Sequence, residues 1–112
     1  MLLPNTEKAI IPPDKIRNYL LSISHPIGRF KAVYFQKLGY SPDNWKLLSR
    51  DLLALLENHI QKVEKSEYGQ KYEVRGTIIG PAKKSAYNTT VWIVLKNEDY
   101  SRFITAYPGD KK

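Results

Sequence analysis

Residues 72–107 limit the possible folds more than any other stretch, because apolar and polar side chains alternate there in three consecutive runs. Successive side chains of a strand point to opposite faces, so each run sorts into two sets. In the first, Tyr72, Val74 and Ile78 oppose Glu73, Arg75 and Thr77. In the second, Val91, Ile93 and Leu95 oppose Thr90, Trp92 and Val94; in the third, Ile104 and Ala106 oppose Phe103, Thr105 and Tyr107. Gly80-Pro81-Ala82-Lys83-Lys84 and Lys96-Asn97-Glu98-Asp99 are turn sequences, so an antiparallel meander is expected. The aliphatic set should pack on helices. The set Arg75, Thr77, Thr90, Trp92, Thr105 and Tyr107 should face outwards. A polar outer face is ordinary for such a sheet. Aromatic rings among hydroxyls and a guanidinium equally suit a face that binds bases and phosphates. The pattern leaves both readings open.

Helices should supply the cover. Lys8 to Ile11 reads as a short strand stopped by Pro12-Pro13. Asp14 to Ser22 reads as a first helix with Ile16, Tyr19, Leu20 and Ile23 inward. Ser24-His25-Pro26 should open a second helix that runs to about Leu38, with Phe30, Val33, Tyr34 and Leu38 as its apolar stripe and Gly39 after its end. The third begins with Ser41-Pro42 and carries Trp45, Leu48, Leu52, Leu55, Leu56, Ile60 and Val63 at helical spacing. Helices followed by a meander make an α+β fold: two or three N-terminal helices packed on one face of a C-terminal antiparallel sheet. One domain over residues 1–112 is expected, helical at about 14–63 and sheet at about 70–107.

Chemistry is less plainly written. Cys is absent, the two His residues are far apart, and no carboxylate set has metal-ligand spacing, so neither a metal site nor a cofactor is expected. No Ser stands in a nucleophile-elbow context. No apolar run approaches a membrane span, and residues 1–4 lack the pattern of a signal peptide, so a cytoplasmic protein is expected. The net charge of +7, concentrated locally at Arg29 to Lys37, Lys83-Lys84 and Lys111-Lys112, favours polyanionic partners. His59 beside the long apolar stripe reads as structural. His25 differs, because it precedes Pro26 at a helix start and is followed by Arg29 and Lys31. Helix-start donors and nearby cations attract anions. A helix cap with solvated cations explains the same residues.

The segments LPNTEKAIIPPDKIRNYLL, HPIGRFKAVYFQKLGY, YGQKYEVRGTIIGP and TTVWIVLKNEDYSRFITAYPG resemble an uncharacterised bacterial domain family found in stand-alone proteins and at the C-termini of polymorphic toxins. The layout is also similar to the barnase–EndoU–colicin–RelE ribonuclease superfamily. Related toxin tips carry a His-Pro-x-Gly-like segment with basic residues and a Thr-x-Tyr-Pro-like ending. Here these correspond to His25-Pro26-Ile27-Gly28 with Arg29 and Lys31, and to Thr105-Ala106-Tyr107-Pro108.

The resemblance implies a metal-independent endoribonuclease toxin, cleaving tRNA or mRNA by 2′-hydroxyl attack, with an immunity or antitoxin partner. His25, Thr105 and Tyr107 would be catalytic, and Arg29, Lys31, Arg75, Thr77, Thr90 and Trp92 would bind RNA. The alternative is a non-catalytic basic accessory protein of a toxin or mobile-element locus that binds nucleic acid or protein. The two readings divide on whether His25 reaches Arg75 and Thr105–Tyr107 in space.

Overall fold

The protein was analysed as a computed structural model that describes residues 3, 5–22, 24–26 and 29–109. Of the residues singled out above, Ile23, Ile27, Gly28, Lys111 and Lys112 lie outside the described set. The fold is α+β, with helices in the N-terminal half and a four-stranded antiparallel sheet after them in the order β1-β2-β3-β4. The strands are β1 (Ile60–Lys65), β2 (Gly69–Ile79), β3 (Ser85–Leu95) and β4 (Arg102–Pro108).

Helix α1 begins at Pro13–Lys15 and widens over Ile16–Leu20, where the Leu21 N–H bonds to the Ile16 carbonyl five residues back. Pro13 fits the first position, where no N–H is needed. The wide turn buries Ile16 and Leu20 and leaves Tyr19 half-buried at its edge. Helix α2 (Arg29–Lys37) ends where Gly39 takes φ 102°, a left-handed conformation that glycine adopts without strain. Helix α3 (Trp45–Ala54) follows a tight turn at Pro42–Asn44, in which the Ser41 N–H donates to Asn44 Oδ1 at 2.7 Å. Its inner face buries Leu48 and Leu52, and Leu55 and Leu56 are buried just beyond its end. Tyr40 donates to the Asp51 carboxylate and so ties α2 to α3.

The third helix stops earlier than its apolar spacing suggests. Its last turn closes at Leu55–Glu57, Asn58 turns to an extended backbone, and Ile60 and Val63 belong to strand β1 rather than to a helix reaching residue 63. Asn58 Nδ2 donates to the Arg75 carbonyl at 2.9 Å, so the break is held from β2. Both β-branched residues suit a strand, and the helical spacing in the sequence ran across the junction. His59, expected near the core edge, lies exposed in this link.

The two faces of the sheet also differ from expectation. Val74 and Ile78 of β2 pack towards the helices, as expected. Strand β2 pairs with β3 along all eleven of its residues, with Val74 opposite Thr90 and Tyr72 opposite Trp92. Residues directly opposite share a face. Thr90 and Trp92 are therefore buried under the helices, whereas Val91, Ile93 and Leu95 lie half-buried on the open side. The buried polar atoms are satisfied in series: Trp92 Nε1–H donates to Thr90 Oγ1 at 2.8 Å, and Thr90 Oγ1 donates to the Val74 carbonyl at 2.7 Å. In β4 a register shift between the Trp92–Phe103 and Val91–Thr105 pairs accommodates Ile104 as an extra residue. Phe103 and Ala106 both become buried, and Ile104 is only half-buried. In α2, Ala32 and Phe35 are buried, while Phe30 and Val33 are exposed.

Two substitutions test this packing. Leu52→Ala should lower the unfolding free energy by about 2–5 kcal/mol, read from chemical denaturation. Trp92→Ala should cost about 3–5 kcal/mol, and Ile93→Ala clearly less; equal costs would place Trp92 and Ile93 on equally buried faces.

Candidate active site at the β4 edge

Strand β4 closes one edge of the sheet. Its outer side is covered at one point by the lead-in: the Ile10 N–H bonds to the Ser101 carbonyl at 2.9 Å, and the Phe103 N–H to the Ile10 carbonyl at 2.9 Å. Further along, α1 and α2 reach this edge with side chains. Lys31 Nζ donates to Tyr19 Oη and to Thr105 Oγ1, each at 2.7 Å. Tyr19 Oη and Thr105 Oγ1 are themselves 3.2 Å apart, although 86 residues separate them in the chain. The His25 ring stands edge-on to the Tyr19 ring with centroids 5.1 Å apart. Lys31 Nζ also lies 5.9 Å from the centre of the Tyr107 ring. An imidazole, a phenol, an ammonium, a hydroxyl and a second phenol thus meet where the helical layer ends and the open sheet face begins.

The local folds explain this meeting. The wide turn of α1 puts Tyr19 at the margin of the core while its neighbours Ile16 and Leu20 are buried. Lys31 lies half-buried on α2 beside the buried Ala32. The extra residue Ile104 restores the alternation, so that Thr105 pairs with Val91 and Tyr107 with Thr89, both on the open face. From that face the row continues to Arg75, which pairs with Thr89. Two strand spacings put Arg75 about 10 Å from Tyr107 in backbone terms.

The electrostatics single out Tyr19. Burial alone would raise its phenol. The hydrogen bonds with Lys31 and Thr105, with the charges of Lys31 and Lys15, outweigh burial and bring it below its ordinary value of 10. A lowered phenol pKa beside a fixed ammonium makes Tyr19 capable of proton transfer. Sequence reasoning read Tyr19 only as part of an inward stripe. The available signal was Lys15 four residues earlier, whose ammonium lies 5.7 Å from the Tyr19 ring centre.

The other expected site residues divide. Arg29 is exposed and its guanidinium lies 4.9 Å from the Phe30 ring centre. Arg75 is half-buried on the open face, 3.5 Å from the Glu73 carboxylate, and its Nε is buried without a hydrogen-bond partner. Thr77 is exposed two residues along β2 from Arg75, opposite Tyr87, and borders a hollow shared with Asp51 and Asn58. Thr90 and Trp92 do not belong to any binding face, because the β2–β3 register buries both beneath the helices. Thr89, overlooked in the sequence, is the buried member of the Arg75–Thr89–Tyr107 row.

Removal of Lys31 should be visible in the Tyr19 titration. In Lys31→Met the largest counterweight to burial is lost, so the phenol should titrate at higher pH. Ultraviolet titration of the parent and of Lys31→Met, each corrected by its Tyr19→Phe counterpart, isolates this group; an unmoved titration would separate Lys31 from Tyr19 electrostatically.

Comparisons with known proteins agree in part with the resemblance in the sequence. No curated protein matches the chain. Among solved structures, a chain of the contact-dependent growth inhibition toxin–immunity protein complex from Klebsiella pneumoniae 342 has a similar fold, with a TM-score of 0.74 and 21% sequence identity over 95% of this chain and 97% of that one. No helix among the described residues is long and apolar enough to cross a membrane. The family model described as "Domain of unknown function (DUF6883)" matches residues 2–110, nearly the whole chain, and the protein belongs to that family.

Proposed function

We propose that the chain is a single-domain endoribonuclease of the toxin type, cleaving RNA by 2′-hydroxyl attack without a metal ion, with an immunity or antitoxin protein as its partner. The observation that carries this reading is the convergence of His25, Tyr19, Lys31, Thr105 and Tyr107 on the β4 edge from distant parts of the chain. The fold likeness to a chain of a toxin–immunity complex supports it. So does the net charge of +7, which suits a polyanionic substrate.

The residue set suits a simple sequence of events. His25 takes the proton of the 2′-hydroxyl, and the 2′ oxygen bonds to phosphorus. Charge builds on the non-bridging oxygens, where the Lys31 ammonium meets it, held in place by Tyr19 and Thr105. The bond from phosphorus to the 5′ oxygen breaks, and the Tyr19 phenol supplies that oxygen's proton. The products are a 2′,3′-cyclic phosphate and a 5′-hydroxyl. Tyr107 and Arg75 line the open face on which the flanking phosphates would lie. These groups act through protons and positive charge; none is a hard carboxylate ligand of the kind a divalent cation requires.

A second reading, a non-catalytic basic binding module of a toxin locus, draws on one observation: burial of Thr90 and Trp92 removes two residues from the expected RNA face. Incubation of the purified protein with total RNA in EDTA separates the two. Under the proposed function, cleavage products carry 2′,3′-cyclic phosphate ends, and His25→Ala slows cleavage by about 10²–10⁴-fold. Tyr107→Phe and Arg75→Ala should slow it while the protein stays folded. Intact RNA after incubation with folded parent protein favours the binding module.

A further inference from the structure

We propose that the solvent-facing stripe of α2, continued by the Lys83-Lys84 turn, is a track for single-stranded nucleic acid that leads into the β4-edge site, with Phe30 as a stacking platform for one base. The inference deepens the proposed function, since it takes the β4-edge site as the place where the strand is processed.

At about 100° per residue, Arg29, Phe30, Val33 and Lys37 fall within one arc of about 100° on α2. All four are exposed, and the buried residues Ala32, Phe35 and Leu38 occupy the opposite arc. Phe30 is 70% exposed and Val33 is 48% exposed. Phe30 adds nothing to the core at that exposure. It sits at the margin of the arc nearest Lys31, the residue that holds Tyr19 and Thr105. The Arg29 guanidinium lies over its ring at 4.9 Å, so a flat aromatic surface and a fixed positive charge are presented together. That pairing suits a base stacked on the ring with its phosphate beside the guanidinium.

The far end of the stripe is basic as well. The Ala82 N–H donates to the Leu38 carbonyl at 3.0 Å, which docks the β2–β3 turn on the end of α2. A side chain at Gly80 would collide with that carbonyl, its Cβ lying 2.1 Å away, so glycine permits the approach. Exposed Lys83 and Lys84 are thereby brought to the end of the helix that bears Lys37. Cations therefore lie at both ends of a stripe that spans about 12 Å from Arg29 to Lys37, with Phe30 and Val33 between them. A duplex keeps its base faces inside its own stack and offers Phe30 nothing to stack on. An unpaired strand offers both phosphates and bases.

The test uses an oligonucleotide with 2′-O-methyl sugars, which lacks the 2′-hydroxyl and cannot be cleaved by 2′ attack. Its binding is followed by fluorescence anisotropy at low salt with the full chain. Phe30→Ala should weaken binding by about tenfold or more, and Phe30→Trp should restore it. A triple reversal of Lys37, Lys83 and Lys84 to Glu should flatten the dependence of affinity on salt. A duplex of the same sequence should bind with no dependence on Phe30. The track is overturned if Phe30→Ala binds within twofold of the parent, or if it weakens duplex and single strand equally. It is also overturned if the parent binds no oligonucleotide and takes an acidic protein on this face instead. Cleavage of natural RNA is scored separately. Phe30-dependent binding without cleavage leaves the track standing and removes the proposed chemistry. Cleavage that ignores Phe30 does the reverse.

Discussion

The pairing of β2 with β3 governs the rest of the molecule. The strands run in register from the Gly69–Leu95 pair to the Ile79–Ser85 pair, with no bulge between. A shift of one residue would turn every side chain of β3 to the other face. The observed register puts Val74 opposite Thr90, and so places Trp92 in the core against Phe103, with ring centroids 5.3 Å apart. It also aligns Arg75, Thr89 and Tyr107 as one row across the open face. The helices then have a single surface to cover, and Tyr19 of α1 and Lys31 of α2 reach past its margin at the β4 edge.

Much of this was legible in the sequence, and the failures have definite physical causes. The existence and order of helices and strands followed from periodicity and from Gly and Pro positions. The faces of β3 did not, because Val91, Ile93 and Leu95 are as apolar as a core set should be. Only the pairing partner of Thr90 decides which side meets the helices. Trp92 is large, apolar and supplied with an internal acceptor in Thr90 Oγ1, so burial costs its N–H nothing. In the α2 stripe Leu38 and Tyr34 do meet the core, but Phe30 and Val33 were misjudged for a related reason. Phe30 and Val33 look like anchors, but Ala32 and Phe35 fit the narrower space against the core.

The candidate site was half legible. His25, Lys31, Thr105 and Tyr107 were marked by chemistry and by resemblance, and the fold brings all four to one edge. Tyr19 was hidden because one residue can satisfy a helical stripe and still present its hydroxyl at the margin. The wide turn of α1 produces that position, and such turns are recurrent features of functional sites. Arg75 shares the open face but not the immediate neighbourhood of Lys31, and its Glu73 partner already moderates its charge.

The separation of Thr105 from Lys31 by 74 residues has a kinetic meaning. No early, local folding event can assemble the site, because it needs the last strand to close against the first two helices. A chain emerging during synthesis carries the basic and aromatic residues without their geometry until β4 is released and docked. In the mature protein β4 is an edge strand, held on one side by β3 and on the other by a single bridge at Ile10. Fraying there would dismantle the Lys31–Thr105 contact and at the same time uncover Phe103 and Ala106 of the core. The candidate site is thus tied to an edge strand of the sheet.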